Sequence, residues 1–101
     1  MEFYRQGDVG ILRVAKLPQT AKKQEVKERI VLAYGEVTGH AHAIATDAAT
    51  LFVDGARRFL EVCYKAELMH EEHGKITLPA GIYEIIQQRE YFPEAIRNVA
   101  D

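Results

Sequence analysis

The chain contains no serine, which rules out a serine nucleophile. A single cysteine, Cys63, excludes an intramolecular disulfide framework and any multi-cysteine zinc site. It sits in an apolar run and reads as a buried core residue. No glycine-rich phosphate loop is present, because Gly7, Gly10, Gly35 and Gly39 do not fall into the required spacing. Thirteen Lys+Arg against fifteen Asp+Glu leave a formal charge of −2, which argues against a dedicated polyanion binder. No apolar run approaches the roughly 20 residues that cross a bilayer. The start, Met1-Glu2-Phe3-Tyr4-Arg5, lacks a basic region followed by an apolar stretch. These absences lead to the expectation of a cytoplasmic protein with no membrane partner. Its 101 residues suit one domain, 1–101.

What is present is a pattern of histidines. There are only four, and they form two close pairs, His40/His42 and His70/His73. The surrounding sequence is built of short β-type runs. Gln6 to Leu17 alternates loosely and reads as one strand entered through the turn Gln6-Gly7-Asp8. Residues 19–29 are polar and basic and lack the apolar stripe of a packed helix. They are expected to form an exposed loop with some helical character. Ile30 to Tyr34 is a strand. In the extended stretch that follows, Thr38, His40, His42 and Ile44 share one face. Thr50 to Val53 meets Asp54-Gly55, a hairpin signal. Residues 57–73 satisfy both strand and helix spacing, and the aromatic and β-branched content favours a strand. Pro79-Ala80-Gly81 reads as the turn of a hairpin between Ile76–Leu78 and Ile82–Ile86.

Two histidines one residue apart on a strand leave the same face and can converge on one ion. The small residues Gly39, Ala41 and Ala43 would allow close approach. His70 and His73 could meet the first pair through a turn or a helix face, so His40, His42, His70 and His73 are the candidate metal ligands. Glu36, Asp47, Glu71 and Glu72 are nearby oxygen donors, and Glu72 or Glu36 is the candidate general base. A nitrogen-rich set suits a divalent Zn, Fe, Mn or Ni ion. An open coordination position would support metal-dependent hydrolysis. His-Glu-Glu-His is not the helical H-E-x-x-H of zinc proteases.

Two other readings stay open. The first is a metal-independent ribonuclease or phosphodiesterase, with the histidines, Tyr91 and Lys75 as acid, base and phosphate clamp. Six basic and two acidic residues in 13–29 give it an RNA-facing segment, whose plainer reading is a solvated loop. The second is a non-enzymatic module in which the histidines or the aromatic strands hold a homo-oligomer together.

The string Gly35-x4-His40-Ala41-His42, followed by Leu78-Pro79-Ala80-Gly81, resembles the motifs of cupins. The spacing is one residue shorter than cupins usually carry. The resemblance implies a small β-barrel with metal ligands on an H-x-H strand. It would put the cupin glutamate at Asp47 and the last cupin histidine at Glu84, and it leaves His70 and His73 outside the pattern. The longer string running through His70-Glu71-Glu72-His73, Ile82-Tyr83-Glu84-Ile85 and Gln88-Arg89-Glu90-Tyr91 also looks like a group of small uncharacterised bacterial and phage proteins, which implies no activity. The expected fold is mainly β: a small single-domain cupin-like barrel or β-sandwich with room for one short helix. A small-molecule or RNA substrate and a homo-oligomer are the expected partners.

Overall fold

The computed structural model describes residues 2–34 and 40–87. Its elements are β1 (Phe3–Gln6), β2 (Val9–Val14), β3 (Lys22–Gln24), β4 (Arg29–Tyr34), β5 (Ala41–Ala45), β6 (Ala49–Asp54), β7 (Arg57–Leu68) and β8 (Ile76–Gln87). Six strands form one antiparallel sheet in the order β1-β2-β8-β7-β6-β3, and β4 and β5 pair separately. The large sheet is open at β1 and β3 and is not closed into a barrel. No helix occurs among the described residues. The polar segment 19–29 instead supplies the short edge strand β3, held by backbone pairing to β6 rather than by an apolar face.

The core lies between the two sheets. Ile30, Leu32 and Ala33 of β4 and Ile44 of β5 pack with Val9, Ile11, Leu51, Leu60, Val62, Leu68, Leu78 and Tyr83 of the large sheet. Burying such side chains contributes about 1.5–3 kcal/mol each, so this apolar contact dominates the attraction between sheets. Phe3, Leu12 and Ile86 form a second small cluster of opposite strand phase, on the other face of the large sheet.

The local expectations hold in part. The turn expected at Gln6-Gly7-Asp8 is present, with Gly7-Asp8 as the two-residue loop of a β1–β2 hairpin and Gln6 opposite Val9, but the strand after it ends at Val14 rather than Leu17. Gly7 has φ 59° and Gly55, in the β6–β7 hairpin, has φ 62°. Each is the first central residue of its loop, the place where a II′ turn calls for glycine. Residues 57–68 are a strand rather than a helix. Pro79-Ala80-Gly81 is not a hairpin turn: β8 runs through it unbroken, paired with β7 on both sides. The register shifts between Val62 and Lys65, so two β7 residues oppose one on β8, and Pro79 sits at this bulge where a missing N–H is tolerated.

Cys63 is exposed, not buried. The buried β7 positions are Phe59, Leu60, Val62, Ala66 and Leu68, while Cys63 and Tyr64 fall at the register shift between Val62 and Lys65 and are both exposed. An apolar neighbourhood in sequence misled because the bulge, which has no local signature, turns this position outward.

Candidate metal centre

A single backbone bridge assembles the site. Ala43 N–H donates to Met69 O at 3.0 Å and Met69 N–H to Ala43 O at 2.9 Å, joining β5 antiparallel to the end of β7. Antiparallel register then sets His42 across from His70, Ala41 across from Glu71, and His40 across from Glu72. Each of these pairs touches. The His42 and His70 ring centroids are 4.3 Å apart. The Ala41 N–H donates to Glu71 Oε1 at 2.9 Å. His40 Nδ1 lies 3.4 Å from Glu72 Oε1. His73 completes the cluster, 4.7 Å from His70 and 5.8 Å from His42 between centroids, and His40 is 5.6 Å from His70. All four histidines therefore meet.

His42 is the most constrained of them, with 1% of its surface exposed. Its Nδ1 is 2.8 Å from Gln6 Oε1. The Gln6 amide hydrogens go to two backbone carbonyls, Leu68 O and Gly74 O, each at 2.9 Å. Gln6 thus ties together the chain on either side of the 70–73 turn, and its oxygen can only accept. His42 Nδ1 must carry the hydrogen, which leaves the Nε2 lone pair of the neutral ring exposed to Asp8 Oδ1, 3.3 Å away. Burial pushes the His42 imidazole below its ordinary pKa, and His70 and His73 add to this against the opposing pull of Asp8. A neutral imidazole facing a carboxylate places two acceptors against each other, an arrangement that a cation between them resolves.

The remaining donors are softer in placement. His40 Nδ1 is buried and makes no hydrogen bond among the described residues. His70 Nδ1 accepts from the Glu72 N–H at 3.0 Å, an exposed contact that an incoming ion could displace. The Glu71 carboxyl is held below the usual carboxylate range chiefly by the Ala41 N–H, so it stays ionised. Among the described residues, donor atoms of His40, His70 and Glu71 lie within 4.8 Å of one another. Gly7 forms the floor: a Cβ built there would lie 2.7 Å from His73 Nε2 and 3.2 Å from His42 Cε1.

Other sequence candidates lie elsewhere. Lys75 pairs with Glu67 at 3.2 Å, both about half exposed. Glu84, at the last cupin ligand position, makes a two-pronged pair with Arg57 at 3.0 and 3.1 Å. Asp47 is exposed in the β5–β6 turn, past the end of β5 remote from His40. Glu36 and Tyr91, with Arg89, fall outside the described residues. The sequence marks Gln6, Gly7 and Asp8 only as a turn. Their sequence signal was faint, since burial of the glutamine side chain depends on tertiary contact.

A cleft of about 590 Å³ adjoins the site, walled by Val31 to Tyr34, Arg58 and Gln87, with Asp8 on its lining. Arg58 donates to Val31 O and Leu32 O, which fixes its guanidinium across the wall. No described helix is long and apolar enough to cross a membrane.

A family profile described as a domain of unknown function, DUF8820, matches residues 5–88. The chain belongs to the DUF8820 family. The matched segment contains Gln6, Asp8 and all four histidines. No curated protein and no solved structure matches the chain.

Proposed function

We propose that this DUF8820 chain binds a divalent transition-metal ion within its histidine cluster and uses it to hydrolyse a small-molecule substrate. The observation that carries the reading is the buried His42 ring, held at Nδ1 by Gln6 with its Nε2 set 3.3 Å from Asp8 Oδ1. A metal-ligating histidine typically donates its other ring N–H to an oxygen that fixes tautomer and orientation, and Gln6 supplies that oxygen here. The mixed nitrogen and carboxylate donors suit zinc or a neighbouring first-row ion.

An ion at such a site polarises water and substrate oxygen. Glu72, 62% exposed with Oε1 3.4 Å from His40 Nδ1, would take up a proton as general base. The adjoining cleft has the size of a small-molecule pocket, and Asp8 belongs to both cleft and cluster. The open sheet lends no support to a closed cupin barrel, so the reading rests on the site. A cytoplasmic location and self-association remain part of the proposal.

Elemental analysis of tag-free protein after zinc loading and desalting tests it. At least one equivalent is expected, with strong loss in His42→Ala that retains the wild-type circular dichroism. Less than a tenth of an equivalent would sink the metal reading. Cleavage of RNA that survives EDTA would replace it with the metal-independent alternative.

A further inference from the structure

The four imidazoles cluster, yet their donor atoms point to two places. His40, His70 and Glu71 present donors within 4.8 Å of one another, and His42 is not in that group. Instead, His42 Nε2 faces Asp8 Oδ1 at 3.3 Å, while the His42 ring stands 4.3 Å from that of His70 between centroids. With metal–ligand distances of about 2.0–2.2 Å, two ligands on a tetrahedral ion stand about 3.4 Å apart. The Asp8–His42 contact has that length. So, separately, does the 3.4 Å approach of Glu72 Oε1 to His40 Nδ1. His40 Nδ1 is buried without a hydrogen bond among the described residues, and His42 is 1% exposed.

We infer that the site is dinuclear: one divalent ion is held by His40, His70 and Glu71, and a second by His42 and Asp8 with His73 alongside. This rests on the metal reading above and extends it to a second position. His73 Nε2 and the edge of His42 flank the same space over Gly7, a space that a methyl group could not share. Only glycine, at φ 59°, leaves that side of the cluster open. His70, 4.3 Å from His42 between ring centroids, lies where the two positions adjoin. Ions about 3.5–4 Å apart form the paired clamp that steadies attacking and leaving oxygens in hydrolysis. Asp8 is the one residue that belongs to the second position and also lines the cleft, so a cleft-bound substrate would meet that ion first.

The test is a Co²⁺ titration of the metal-free chain followed by visible absorption, with zinc stoichiometry measured in parallel by elemental analysis. Wild type is expected to saturate at two equivalents. Asp8→Ala and Glu71→Ala should each saturate at one, and the double variant should hold almost none. Size-exclusion elution and circular dichroism identify variants that have lost the fold, and Asp8→Asn serves where Asp8→Ala does. One equivalent in wild type, or two equivalents retained in folded Asp8→Ala, would overturn this dinuclear assignment and leave metal binding itself standing. Binding of no metal at all would overturn both.

Discussion

Gln6 Oε1 accepts a 2.8 Å hydrogen bond from His42 Nδ1, and the same side chain donates to Leu68 O and Gly74 O. One buried glutamine therefore does two things. It closes the base of the 70–74 turn, and it decides which nitrogen of His42 carries the proton. Stability and metal affinity are coupled through this residue.

Replacing it should reveal that coupling. Gln6→Leu keeps the volume but strands two carbonyls and an imidazole N–H in a buried place. Such unmet groups cost about 1–3 kcal/mol each, so a total loss of about 3 kcal/mol in urea unfolding is expected. Zinc affinity, measured against a competing chelator, should fall about 10–100-fold, the usual effect of removing a partner of a ligating histidine. A folded Gln6→Leu with unchanged affinity would show that His42 is oriented by something else.

Gly7 and Gly55 offer an internal comparison. Both have positive φ, 59° and 62°, and both begin a two-residue hairpin loop. Alanine in such a conformation costs about 1–2 kcal/mol from backbone sterics alone. At Gly55 nothing lies within 4 Å of the added Cβ, whereas at Gly7 the Cβ would meet His73 Nε2 at 2.7 Å. Gly55→Ala should lower the melting temperature and leave zinc binding intact. Gly7→Ala should lower the melting temperature further and weaken zinc binding as well. Equal zinc affinity in the two variants would mean that His73 can move away at no loss.

These residues also show how far a sequence speaks. The strand character, the Asp54-Gly55 hairpin and the common direction of His40 and His42 were legible, because period-two alternation and turn chemistry are local. The meeting of the histidine pairs was not, since it depends on the Ala43–Met69 bridge, a contact between distant segments with no local signature. Once that bridge is known, simple register arithmetic aligns His42 with His70. The Pro79-Ala80-Gly81 segment misled for the opposite reason. Its residues carry a turn signal, but β7 offers a bulge at that point, and pairing with the long neighbouring strand prevails over local turn preference.

Cys63 gives a direct check on the β7 bulge. It follows buried Val62 and points outward beside Tyr64, which is 81% exposed. A thiol reagent should therefore label the native chain at a rate close to that of the urea-unfolded chain. Labelling that requires unfolding would mean that the β7 register is shifted by one residue or that a second copy covers this face.

Tyr83 sets the alkaline limit. It is fully buried, and its hydroxyl donates to Pro79 O at 2.6 Å, bracing the bulge. Burial pushes the phenol above its ordinary value of 10.0, against a smaller opposing pull from the Arg13 guanidinium, whose Cζ lies 5.9 Å from the ring centroid. The unfolded side chain loses its proton near pH 10, while the folded one still holds it. The contribution is therefore fully present below pH 10 and is lost as pH rises through 10 towards the folded-state value. Urea midpoints should decline above pH 10, and phenolate absorbance should show one tyrosine titrating late. Tyr83→Phe should cost about 1 kcal/mol at neutral pH through the lost hydrogen bond and should flatten the alkaline decline. Some slope should persist, because the pKa of Tyr4 is also raised, by its own partial burial and by Glu2. An unchanged alkaline slope in Tyr83→Phe would assign the decline to another group.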